Sequence, residues 1–366
     1  MAVIGAGVVG ASVAFRLARG GARVWLVDEA RPGSGATSTS FAWVNANEKI
    51  PYDYFALNYA GLREHFRLRD ELPGGGPWLH PGGNLEWAED EAGREGLRRR
   101  VGRSRSWGYA AERRKASWVN ETLEPNVAFP SPDTPVAFFP EEAWVDAPRL
   151  ANALAELARR DGAETRFGVA VRSIETKSGR VVGVRLRDGE RLPVDAVVNA
   201  AGSRADEVAA LVGLSLPLKP TEGLLVRLAV EESPLGCIVH SPRVNIRPDG
   251  PGHVLIHHAS IDRELGGDVE TQYCSLRSEL LERARWVVPA LEGAKVDGDR
   301  IGVRPMPEDG LPCVGTVPVR PGYYEAVTHS GVTLGPLVGR LLAREILTGE
   351  VDASIAPFRP ERFARG

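Results

Sequence analysis

Gly5, Gly7 and Gly10, in "GAGVVG", directly follow the apolar run "AVI". They open a stretch in which Val13, Ala14, Leu17 and Ala18 recur at helical spacing. The chemistry such glycines can do is phosphate binding. The first permits a tight turn, the second lets main chain approach a pyrophosphate, and the third lets helix pack against strand. The first turn of the helix adds unpaired N–H groups and the positive end of its dipole. Asp28 lies 18 residues beyond Gly10, at the end of the apolar run "VWLVD". A carboxylate there accepts hydrogen bonds from ribose hydroxyls and repels the extra phosphate of NADP. These residues predict a dinucleotide site that suits NAD and FAD equally.

The elements that must position this loop are a strand, a helix and a second strand joined by a right-handed crossover. Alternation of strand and helix then stops, and the chain continues with the hydroxyl-rich "RPGSGATSTSFAWVNAN", a loop able to wrap a larger cofactor. The periodic pattern returns with Asp146 as a helix N-cap before the stripe Leu150, Leu154 and Leu157. Strands "VVGVRLRDG" and "RLPVDAVVNAAG" then flank a turn at Asp188-Gly189, and Ala200, Ala201 and Gly202 leave room for close main-chain approach. Ser330-Gly331 turns into the amphipathic "VTLGPLVGRLLAREIL". "GLLVRLAV", "CIVHSPRVNIRPDG" and "GHVLIHHAS" read as strands of an antiparallel sheet. His257 and His258 are adjacent, so strand alternation sends them to opposite faces and argues against a shared metal site.

At 366 residues, 43% hydrophobic and 25% charged, the chain can build one large or two intertwined domains. A net charge of -3 argues against a general nucleic-acid binder. Residues 94–115 are rich in arginine and read as a solvated helix face, and residues 72–83, "LPGGGPWLHPGG", as an irregular lid or interface loop. Cys237, Cys274 and Cys313 lie far apart without metal-ligand spacing, so no metal site or disulfide framework is expected. No basic start precedes an apolar leader and no run reaches membrane-spanning length. The expectation is a soluble cytoplasmic protein.

Five segments in register resemble the D-amino-acid oxidase superfamily of FAD-dependent oxidoreductases, the group that includes glycine oxidase and sarcosine oxidase. They are "GAGVVG" with Asp28, "VDAPRL", "DAVVNAAGSRADEVAALVGLSLPLKPTEG", "GVRPMPEDGLPCVG" and "YEAVTHSGVTLGPLVGRLLAREIL". The resemblance implies an α/β fold: a Rossmann-like FAD domain of residues 1–50, 141–215 and 300–366, interleaved with a substrate domain of 51–140 and 216–299. It places Gly5, Ala6, Gly7, Val8, Val9, Gly10, Asp28 and Glu29 at the dinucleotide end. Thr37, Ser38, Ala42, Trp43 and Val44 fall between pyrophosphate and isoalloxazine. Val171 meets the adenine, and Ala200, Ala201 and Gly202 lie beside the cofactor. Gly331, Val332 and Thr333 aim helix N–H groups at the flavin's pyrimidine edge.

The resemblance also makes Arg304 the group that binds substrate carboxylate; an ion pair with Glu308 or Asp309 is the alternative. Asn245, His258 and His329 are the remaining candidates beside the reacting atoms. Cys313 falls several residues past the position where sarcosine oxidases attach their flavin, so noncovalent FAD is expected. The implied reaction oxidises an amino acid or secondary amine by hydride transfer to the flavin. The resulting imine hydrolyses, and O2 or another acceptor takes the electrons. A flavin dehydrogenase of a 2-hydroxy acid and a flavin-binding subunit without turnover are the competing readings.

Overall fold

A computed structural model describes residues 1–72, 74–219, 221–265 and 269–363. Six strands form one sheet in the order Cys313–Thr316, Tyr323–Val327, Val197–Asn199, Ala2–Ile4, Trp25–Asp28 and Glu164–Phe167. All neighbours are parallel except the outermost pair, Cys313–Thr316 with Tyr323–Val327. Val3 pairs with Val198 on one side and Leu26 on the other, and all three are fully buried. Such continuous apolar strands are what a parallel sheet covered on both faces requires.

Helix Val8–Arg19 packs between helices Ala147–Arg160 and Gly331–Thr348. Glycines allow the second contact: a Cβ on Gly339 would strike the Ser12 main chain, and one on Gly335 would crowd Val8. Because those contacts fall near both helix starts, the small residues of "GPLVG" bring two helix N-termini side by side. Helix Tyr52–Glu71, expected in the substrate half, packs against this core and also on Trp107 and Tyr109 of that half. Gly61 abuts Thr333, and His65 Nε2 lies 2.8 Å from the Val332 carbonyl oxygen.

Eight strands form the second sheet: Lys295–Arg304, Thr221–Ala229, His253–His257, Asn245–Pro248, Ile238–His240, Asn84–Trp87, Pro135–Phe139 and Glu112–Lys115. The strand Lys295–Arg304 crosses the expected boundary at residue 300. Leu276, Leu280, Ala284 and Val287 of helix Val269–Val287 seal one face through a helical stripe. Among the described residues no helix is long and apolar enough to cross a membrane, and no cluster could hold a metal ion.

Candidate functional site

A cavity of about 1040 Å³ runs from the glycine turn to the eight-stranded sheet. Helices Val8–Arg19 and Gly331–Thr348 both start at its wall without a side-chain cap. The Val8 N–H donates to Thr37 Oγ1 at 3.1 Å and that of Ala11 to the Gly7 carbonyl. The N–H groups of Val9 and Gly10 therefore have no acceptor among the described residues. Leu334 likewise donates to Ser330, leaving the N–H groups of Gly331, Val332 and Thr333 at the cavity. Unpaired helix N–H groups favour an anion or an electron-rich ring edge.

The three turn glycines divide in role. A Cβ on Gly5, whose φ is +101°, or on Gly10 would collide with main chain, of Ala200 and of Gly5 respectively. One on Gly7 would meet only Thr37 Oγ1, at 3.0 Å, and would otherwise fill the cradle. The space and donors fit a pyrophosphate. Asp28 differs from expectation in its partners: Oδ2 accepts from the Ala6 N–H at 2.6 Å and Oδ1 from that of Ala30 at 2.7 Å. It braces the turn while lining the cavity, and Glu29, ion-paired with Arg204, lines it as well.

Val9, Thr37, Ala42, Trp43, Val171, Ala200, Ala201 and Gly202 also line the cavity. Ala6, Gly10, Ser38 and Val44 do not; they support it from behind. Ser38 Oγ caps the turn at Gly35, and Val44 is fully buried in a strand pair with Ala143. Cys313 lies away from the cavity, in a strand, where burial pushes its thiol well up.

At the sheet end, Arg304, Asn245 and His329 line the cavity. Arg304 has a partner that the nearby sequence did not offer. Its Nη2 donates to Asp262 Oδ2 at 2.5 Å and its Nη1 to the Glu222 carbonyl at 3.0 Å. Asp309 pairs with Arg362 instead. Burial, aided by the charges of Lys49 and Arg304, pushes His329 down to about 4. Burial also brings Lys49, another lining residue, down to about 8 against the opposing charge of Glu142.

His258 is not at the cavity. It caps the short helix Ala259–Asp262 through the Ser260 N–H and lies near Arg283. Its neighbour His257 takes the cavity position, together with Asp262 and His240. The hairpin register explains the exchange. Asn245 pairs with His257 across antiparallel strands, so the two share a face and His258 must take the other. The tight turn at Asp249–His253 is the local signal for this register. Asp262, Lys49 and His240 carry no comparable local signal.

This arrangement defines a dinucleotide-dependent redox protein with a cationic pocket beside the cofactor cradle. The FAD dependent oxidoreductase (DAO) family model matches residues 1–345, and the chain belongs to that family. Its cofactor is therefore FAD. Glycine oxidase of Geobacillus kaustophilus is 30% identical, across 98% of this chain and 95% of its own. The crystal structure of glycine oxidase from that organism superposes with a TM-score of 0.86 at 28% identity, covering 98% and 97% of the two chains. Iminodiacetate oxidase from Chelativorans sp. BNC1 superposes with a TM-score of 0.84 at 27% identity, covering 98% of each.

Proposed function

We propose that this flavoenzyme oxidises the C–N bond of a carboxylate-bearing amine, an amino acid or an N-substituted one. The observation that carries the reading is Arg304, a cation at the end of the cavity remote from the phosphate cradle. Two of its five N–H donors are engaged with Asp262 and Glu222, so three remain for a carboxylate. The names of the two relatives, one acting on glycine and one on iminodiacetate, support the same class.

The FAD, when bound, supplies the two-electron acceptor for the hydride that leaves the carbon beside nitrogen. The chain's own residues do the rest. The N–H group of Val9 and the open face of Gly7 would hold the pyrophosphate, with Gly10 supporting the turn from behind, Asp28 and Glu29 on the ribose side and Val171 near the adenine. Gly331, Val332 and Thr333 would offer their N–H groups to the flavin ring and so stabilise the negative charge that reduction supplies. Arg304 orients the substrate by its carboxylate, while Phe41, Trp43 and Leu225 exclude water from the reacting carbon. The oxidised substrate leaves as an imine that water hydrolyses. Cys237, Cys274 and Cys313 all lie off the cavity, which argues against a cysteinyl link and supports noncovalent FAD.

The test is anaerobic bleaching of the flavin by glycine, N-methylglycine, iminodiacetate, D-alanine and L-proline beside lactate and glycerol 3-phosphate. The amines should bleach and the hydroxylated compounds should not. Bleaching by lactate or glycerol 3-phosphate alone would replace amine oxidation with alcohol oxidation. No bleaching by any compound would make this a flavin-binding subunit. Readmitting air then tells whether O2 or another acceptor takes the electrons.

A further inference from the structure

Beside Arg304 the cavity wall holds a pair that hydride transfer leaves unused. His257 Nε2 lies 2.8 Å from Asp262 Oδ2, the oxygen that also accepts from Arg304. Asp262 Oδ1 accepts the Leu224 N–H at 2.9 Å, and the side chain is only 7% exposed. Burial by itself would push this carboxyl up, but the hydrogen bonds from His257 and Arg304, with the Arg304 charge, hold it below the usual range. An anionic oxygen against Nε2 fixes a proton there, so the neutral ring keeps its lone pair on Nδ1. Arg304 Nη2, 3.1 Å from Nε2, is then a second donor sharing one acceptor and not a donor to the ring. His257 Nδ1 has no hydrogen bond among the described residues, and the residue lines the cavity.

We infer that His257 is the base that removes the ammonium proton of a zwitterionic substrate, with Asp262 as its positioning residue. The inference rests on the amine-oxidation reading and adds what that reading lacks, since an ammonium nitrogen has no lone pair to support hydride loss. An N–H bond of the ammonium breaks and its electron pair stays on nitrogen, while the proton bonds to Nδ1. Nothing is oxidised or reduced in this step. Charge favours it. A zwitterion seated on Arg304 brings a second carboxylate close to buried Asp262. Moving the proton to His257 leaves the net charge of the cluster at zero but puts the positive charge in direct hydrogen-bond contact with Asp262, 2.8 Å away. The other titratable groups beside His257 are His240, which burial pushes down to about 3, and His258 on the reverse face of the strand, which burial and the charge of Arg283 push down to about 4. Asn245 lies opposite on the paired strand. None of the three is an anion that would compete with Asp262.

The test compares anaerobic flavin reduction against pH in the wild type, His257→Gln and Asp262→Asn, using the amine that bleaches the wild-type flavin fastest. Glutamine still donates to Asp262 but cannot act as a base. His257→Gln should reduce its flavin ~10²-fold more slowly at pH 7. The gap should close as pH nears that at which the free amine deprotonates. Asp262→Asn, which keeps an oxygen for Nε2 without the anion, should show a smaller loss and the same convergence. A second readout is independent of turnover. Saturating 2-aminoisobutyrate, which has an ammonium but no hydrogen on the adjacent carbon, should protonate one imidazole nitrogen by 15N NMR in the wild type but not in His257→Gln. Trimethylglycine, with no N–H, should leave it unchanged. A loss that is the same at every pH, in a variant with normal flavin content, overturns the role of His257 and leaves amine oxidation standing. An unchanged imidazole under 2-aminoisobutyrate concentrations that perturb the flavin spectrum does the same. Failure of every amine to bleach the wild-type flavin overturns the amine reading itself.

Discussion

One end of the cavity is made of main chain and the other of side chains. At the glycine turn and the start of helix Gly331–Thr348, the chain presents N–H groups and the absence of Cβ atoms. At the eight-stranded sheet it presents Arg304, Asp262, His257 and Asn245, drawn from four elements. The first kind of site depends on a contiguous local conformation. The second depends on strand register and on residues tens of positions apart. The two ends should therefore fail differently.

The largest difference lies within the glycine turn. Gly10→Val forces a side chain into the Gly5 main chain, a clash beyond the ~1–3 kcal/mol of ordinary overpacking because main chain must move. That variant should be insoluble or melt far below the wild type. Gly7→Val should fold, with a near-normal melting temperature, yet elute colourless because its side chain occupies the cradle. Circular dichroism with the flavin-to-protein absorbance ratio checks both. Stoichiometric FAD in Gly7→Val would mean the phosphates lie elsewhere.

The side-chain end should carry most of the pH sensitivity. Burial, with the charge of Glu142, pushes Glu86 up to about 8, and burial pushes Glu142 itself up to about 8. Glu142 accepts from Trp43 Nε1 and the Tyr109 hydroxyl in the wall beneath the cavity. Both glutamates are raised from 4.5, so the fold holds protons that the unfolded chain releases. Their stabilisation is complete below pH 4.5 and is lost as pH rises to 8, as is that of Glu325, also pushed up to about 8 by burial. Each full proton of difference is worth ~1.4 kcal/mol per pH unit. Histidines run the other way. Burial lowers His240 to about 3, and His65 and His329 to about 4, so stability falls as pH drops below 6.5. Three glutamates and three histidines oppose each other between pH 4.5 and 6.5, so the melting temperature should peak midway, near pH ~5.5, and decline by pH ~8.5. A steady rise across that interval would contradict the placement of the buried glutamates.

The smallest effect belongs to the arginine-rich stretch. Arg98 and Arg99 lie exposed on helix Glu91–Ser106 and pair with Glu95. Alanine at either should change stability by less than ~0.5 kcal/mol and leave flavin reduction untouched. Arg100 departs from that solvated face. It turns inward to Glu86 and Glu48, so its replacement should cost more.

The same contrast governs what can be read from sequence. The glycine turn, Asp28 and the turn at Ser330 are legible because each is a local rule about main chain written in consecutive residues. Helix Tyr52–Glu71 packs against helix Gly331–Thr348 as well as on Trp107 and Tyr109, and its apolar pattern could not say so, because it states that a face is buried, not against what. Strand alternation separates His257 from His258 without saying which faces inward. Only pairing with Asn245 decides that. Asp262 as the partner of Arg304 is out of reach of sequence, since 42 residues separate them and nearer acids are available.

The most direct measurement of the central claim is flavin bleaching in the wild type and Arg304→Ala by an amino acid and by its decarboxylated amine. D-alanine with ethylamine, and glycine with methylamine, are suitable pairs. If Arg304 grips the substrate carboxylate, the wild type prefers the acid, and the variant loses that preference at a cost of ~2–5 kcal/mol in transition-state binding. Its flavin content stays normal, because the cradle is at the other end of the cavity. Arg304→Lys should recover little, since a point charge cannot reproduce the planar fork. Equal discrimination by wild type and Arg304→Ala would reduce Arg304 to a structural partner of Asp262 and contradict the carboxylate-bearing substrate.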